Sequence, residues 1–191
     1  MTPVSQSETL SLLRYHSTDF AEEKVFLTQT IAFVARNAHF WQRSIMEGHL
    51  TGTAWILSSD GNSVLLLHHA KLDRWLQPGG HVDEADATLA ETALREAMEE
   101  CGIQGLTLVS PAIFDLDVHE IPARGHESSH LHYDLRFLFV APAEVEIKRN
   151  PLETKAISWV RIAELCTEST PQSLRRMALK TLEVESDSER F

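Results

Sequence analysis

The segment 87–101, closed by Gly102, is the most sharply patterned stretch of the chain. Helical spacing puts Ala90, Ala93, Leu94, Ala97, Met98 and Cys101 on one broad face, read as the buried one. A glycine directly after the last periodic residue is a common helix stop. Glu96, Glu99 and Glu100 stand at i, i+3 and i+4 on the other flank. At about 100° per residue, Glu96 and Glu100 are only about 40° apart, one turn from each other. Like charges at that spacing repel, and they crowd the C-terminal end of the helix, where negative charge is unfavourable. Helix stability does not account for them. A hard divalent cation does, because Mg²⁺ or Mn²⁺ takes oxygen ligands and lets substrate phosphates complete its sphere. A solvated acidic helix face is the plainer alternative.

The surroundings of this helix restrict the fold further. Residues 51–58 and 63–69 read as strands joined by a hairpin at Asp60-Gly61-Asn62. A loop over 70–82 carries Pro78-Gly79-Gly80, which permits close backbone approach just ahead of the acidic helix. Another strand is expected within 106–115, then an exposed loop over 120–129. From Leu131 to Ala141 the chain alternates, with Leu131, Tyr133, Leu135, Phe137, Phe139 and Ala141 on one face and His132, Asp134 and Arg136 on the other. A short strand at 156–160 and helices at 161–166 and 172–184 follow. Ahead of all this, helices are expected at about 5–14 and 20–40, the second capped by Thr18 or Asp19 with Glu22 in a capping box.

Charge narrows the function classes. The chain of 191 residues carries 28 acidic against 17 basic side chains, a net charge of -11, which disfavours gripping a nucleic-acid backbone. No window approaches a membrane span, and the N-terminus lacks the pattern of a secretion signal. Two cysteines, Cys101 and Cys166, cannot build a disulfide framework and fit a cytoplasmic setting.

Gly80 to Ile103 resembles the Nudix box: a glycine, five residues, Glu, seven residues, then Arg-Glu, apolar, any, Glu-Glu, any, Gly, apolar. The second half is complete as Arg95-Glu96-Ala97-Met98-Glu99-Glu100-Cys101-Gly102-Ile103. The first half has Asp86 for the glutamate and eight residues, not seven, before Arg95. The stretch Lys71 to His81 is also similar to Nudix proteins, and the resemblance runs over roughly 48–182. It implies an α/β fold, a Nudix-type α/β/α sandwich with a mixed sheet, here with added N-terminal helices. The expected organisation is an N-terminal helical extension over 1–47 packed on the core, a Nudix domain over 48–185 and a frayed tail over 186–191. The extension could cover the cleft or form a homodimer interface.

The resemblance also implies roles. Glu96, Glu99, Glu100 and the Gly80 carbonyl would hold Mg²⁺ or Mn²⁺. Glu96, Glu99, Glu100 and Arg95 would form the catalytic set, with Arg95 tied to Asp86. The implied reaction is attack of water on a pyrophosphate bond in a nucleoside diphosphate linked to another moiety, or in a related nucleotide. The expected partner is thus a small phosphorylated molecule, not a membrane or a nucleic acid. Arg136, His81, Lys71, Arg74 and Asp134 are candidate substrate-binding residues. His68 and His69 flank the expected cleft, Glu153 is a further acid, and Trp55, Trp75 and Trp159 fit the core or base stacking. A non-catalytic nucleotide or metabolite sensor on the same fold is the main alternative. An isomerase on this fold would need a well-placed cysteine, which neither Cys101 nor Cys166 provides.

Overall fold

The computed structural model describes residues 4–125 and 128–188. Its elements are α1 (Gln6–Tyr15), α2 (Ala21–Arg36), β1 (Gly48–Leu57), β2 (Ser63–His69), β3 (Arg74–Leu76), β4 (Gly79–His81), α3 (Leu89–Cys101), β5 (Thr107–Leu108), β6 (Asp115–Ile121), β7 (His130–Val140), β8 (Thr154–Arg161), α4 (Ile162–Leu165) and α5 (Gln172–Ser188). The architecture is α/β, with eight strands in a sheet of order β3-β2-β1-β7-β5; β4 pairs with β1, β6 with β7 and β8 with β2. The Leu131 amide donates to the Glu47 carbonyl at one end of the β1–β7 pair, and the Ala141 amide to the Leu57 carbonyl at the other. Both residue numbers rise together, so β1 and β7 run parallel. The other registered pairs are antiparallel, which makes the sheet mixed.

Two compact units share β1, α3 and β7. The first comprises residues up to Ala54 with Gly79–Glu96 and Ser110–Phe137. In it β4 lies along β1, with Gly52 opposite Gly80, and β6 runs along β7 from Asp115 opposite Arg136 to Ile121 opposite His130. The N-terminal helices are seated on this pair. The Phe33 ring stacks on Tyr133 at 4.2 Å. Glu23, fully buried, accepts from the Leu116 amide at 3.0 Å and from the Thr18 hydroxyl, and lies 2.8 Å from His16 Nε2. A buried carboxylate is costly unless bonded in this way. The same demand corrects the expected cap of α2: its first residue is preceded by Phe20, which gives no side-chain cap, because the Thr18 hydroxyl serves Glu23 and the Phe20 amide instead.

The second unit comprises Trp55–Pro78, Ala97–Val109 and residues from Leu138 onward. There β2 is bracketed by β8 and β3. Trp55 is fully buried and its indole N–H donates to the Thr181 hydroxyl at 3.0 Å, a core role with its one polar atom satisfied. Gly102 follows α3 at φ +65°, and its amide caps the Met98 carbonyl.

Several expectations shift. The loop 70–82 contains the short strands β3 and β4, which pairing rather than periodicity defines. The strand expected over 106–115 is reduced to Thr107–Leu108, and a strand begins at Asp115, whose charge masked it in the sequence. The helix α5 runs to Ser188, so the expected tail is helical at its start, while 189–191 lie outside the described residues. Residues 126 and 127 of the expected 120–129 loop also lie outside them. No helix among the described residues is long and apolar enough to cross a membrane.

Candidate functional site

Two glycines set the platform on which α3 rests. A Cβ on Gly52 would lie 2.6 Å from the Leu89 carbonyl oxygen and 2.9 Å from the Thr92 Cβ. A Cβ on Gly80 would lie 2.6 Å from both Cδ and Oε1 of Glu96. Only glycine permits such approach, and the Glu96 carboxylate therefore sits directly against the Gly80 backbone. The buried stripe of α3 is turned accordingly. Thr92, Ala93, Ala97, Glu100 and Cys101 are buried, while Met98, expected inside, is 37% exposed. Glu100 is only 6% exposed; Glu99 on the same helix is exposed.

Arg95 ties the preceding turn to the helix. Its Nε–H donates to Asp86 at 3.1 Å, and its Nη2 group donates to Asp86 at 3.0 Å and to the His81 carbonyl at 2.7 Å. Its Nη1 group donates to Glu96 at 3.1 Å. Asp86, buried, also accepts from the Asp83 amide and the Thr92 hydroxyl, each at 2.9 Å. Burial alone would raise the Asp86 pKa. The bonds from Arg95, Asp83 and Thr92 outweigh it and hold the carboxyl below its ordinary range. Arg95 and Asp86 thus form a charged tie between the turn and the helix. The Glu96 carboxylate beside the Gly80 backbone offers hard oxygen donors, the kind that suit a hard divalent cation.

A second cluster lies in the first unit. His49 of β1, His81 of β4 and His132 of β7 bring one ring nitrogen each within 4.8 Å of one another. His130 stacks near His49 at 5.1 Å between ring centroids, and His119 meets His132 at 5.7 Å. His49 is buried, and neither of its ring nitrogens has a hydrogen-bond partner; Nε2 of His132 has none either. Burial, then the neighbouring His81, His130 and Arg43, lowers the His49 pKa to about 3. Burial, then His49, His81, His119 and His130, lowers that of His132 to about 2. Both imidazoles are therefore neutral near pH 7. Sequence reasoning reached His81 and His132 singly and missed His49, His119 and His130. The one local signal was the pair His130 and His132 on one strand face; the contact with His49 depends on sheet pairing.

Arg136 and Asp134, expected to meet substrate, are placed otherwise. Arg136 is 2% exposed. Its Nε, Nη1 and Nη2 groups donate to Asp134, Asp115 and Asp117 at 2.8, 2.9 and 3.0 Å. Burial opposes its charge, but Asp117, Asp134 and Asp115 outweigh that and keep it protonated. Asp134 also accepts from the hydroxyls of Thr51, at 3.0 Å, and Thr53. These two residues brace β1, β6 and β7 from within, because three carboxylates surround the guanidinium that a phosphate would need. Lys71 and Arg74 are exposed. His68 packs edge-on against Trp75 at 5.3 Å, and His69 Nδ1 accepts from the Lys71 and Leu72 amides at 3.1 and 3.3 Å. Glu153 accepts from the Asn150 side chain at 2.8 Å.

Comparison with known proteins agrees with this frame. A family model described as the NUDIX domain matches residues 48–180. A protein of Mycobacterium tuberculosis named "Putative mutator protein MutT4" is 35% identical over 104 residues, 54% of this chain and 39% of the relative. The chain thus matches about two fifths of that relative's length. Among solved structures, a MutT protein from Methanosarcina mazei superposes with a TM-score of 0.53 at 23% identity, covering 73% of this chain and 96% of the other. A NUDIX hydrolase from Clostridium perfringens does so with a TM-score of 0.52 at 23% identity, covering 72% and 97%. Both share the α/β/α sandwich fold with this chain, which itself belongs to the NUDIX family.

Proposed function

We propose that this protein hydrolyses a pyrophosphate bond in a small nucleotide-like substrate, with Mg²⁺ or Mn²⁺ held by Glu96, Glu99, Glu100 and the Gly80 carbonyl. The observation that carries this reading is the Glu96 carboxylate set on the Gly80 backbone and fixed by the Arg95–Asp86 tie. When bound, the cation would neutralise charge developing on phosphate oxygens and lower the pKa of a bound water. The protein's own contribution is position and field. Arg95 holds the turn and orients Glu96, so the carboxylates need no reorganisation during the reaction. Glu99 or Glu100 would orient the attacking water or take its proton. Lys71 and Arg74, exposed cations, are side chains suited to meet substrate phosphate.

The test is a screen of the purified protein with Mg²⁺ and Mn²⁺ against nucleoside triphosphates, ADP-ribose, dinucleoside polyphosphates, nucleotide sugars and diphosphate-containing coenzymes. Metal-dependent release of phosphate or pyrophosphate products supports the reading. Absence of turnover across the panel favours a binding-only role.

A further inference from the structure

We propose that His49, His81 and His132 form a second metal site, for a borderline transition cation of the Zn²⁺ class, built into the sheet and distinct in donor chemistry from the helix glutamates. Each ligand comes from a different strand, and the three ring nitrogens lie within 4.8 Å of one another. That spread exceeds the roughly 3.3 Å between ligands at about 2.0–2.1 Å in a tetrahedral Zn site. The rings must draw inward on binding, which small side-chain rotations of three imidazoles can supply.

Two observations separate this cluster from an ordinary polar core. His49 is 2% exposed with both ring nitrogens unpartnered, and Nε2 of His132 is unpartnered as well. A buried polar atom without a partner is destabilising, and the exceptions call for a ligand or ion. The convergence of one ring nitrogen from each of three strands is the second. Imidazole donors select zinc-class ions, whereas Mg²⁺ prefers oxygen. Three protein ligands leave one position for water.

The test uses full-length protein stripped with chelator, then dialysed against Zn²⁺ in excess Mg²⁺, with zinc content and affinity measured. The expected result is one zinc per chain in the wild type and also in Glu96→Gln/Glu100→Gln. His49→Gln and His132→Gln should weaken zinc binding by at least roughly 100-fold, the upper end of what loss of a merely supporting residue costs. Because His49 is buried, its substitution could unfold the chain. X-ray absorption at the zinc edge of the loaded wild type therefore gives an independent reading, with imidazole scattering from three ligands expected. No retained zinc, an oxygen-only shell, unchanged affinity in folded histidine variants, or loss of zinc in the glutamate variant would overturn the site. Failure of pyrophosphate hydrolysis is read separately, in the Mg²⁺ assay, and leaves this result standing.

Discussion

Asp86 is a buried carboxylate held by three separate donors, Arg95, Asp83 and Thr92. Asp86→Ala strands those donors and should cost about 1–3 kcal/mol, the usual penalty for orphaned buried partners, read by urea denaturation. The pH sign follows from the lowered folded-state pKa. The unfolded carboxyl titrates near its ordinary value of about 3.9. The Asp86 contribution is complete above that value and disappears as pH falls through the lower folded value. The stability gap between wild type and Asp86→Ala should therefore close in acid, as measured by melts at stepped pH. Arg136 makes a sharper case. Arg136→Leu leaves Asp115, Asp117 and Asp134 without their shared cation and should destabilise by about 3–5 kcal/mol. Arg136→Lys should not restore stability, since one ammonium cannot reproduce three directional bonds. Sequence alone placed Arg136 and Asp134 on one strand face. It could not see that β6 brings Asp115 and Asp117 to the same guanidinium, because their register is a tertiary fact.

At the scale of elements, α3 meets β4 where Glu96 lies against Gly80. The helix, its glycine stop and the carboxylate spacing were legible in the sequence, because helical period and side-chain chemistry are local. The orientation of α3 was not. Its buried face is set by Gly52 and Gly80, and Gly52 becomes informative only once it stands opposite Gly80. Gly80→Ala tests this geometry. Its Cβ must push the Glu96 carboxylate aside. A displacement of about 1 Å at such a site costs about 100-fold in turnover. We expect that loss in kcat, with the circular dichroism spectrum unchanged. The histidine cluster belongs to this scale too. Its members lie on four strands, and the strand period links only His130 and His132.

For the whole molecule, the N-terminal helices are part of a compact unit rather than an appendage in its contacts. Phe33 covers Tyr133, and Glu23 takes the amide of Leu116. Removing residues 1–47 uncovers that ring and leaves that amide unpaired, so the truncated chain should lose its cooperative thermal transition. A truncated protein melting like the full chain would show the helices to be dispensable. The net charge of -11 also acquires a local meaning. Its carboxylates are partly matched inside the fold, by Arg95 and Arg136, and partly gathered on α3 where a divalent cation would stand between them and a phosphate. The most direct measurement is kcat for Glu100→Gln against wild type, on a pyrophosphate substrate turned over by wild type at saturating Mg²⁺. We expect a fall of about 100- to 1,000-fold, the scale for losing one preorganised electrostatic group, with the melting temperature near that of wild type. An unchanged kcat in the folded variant would contradict it.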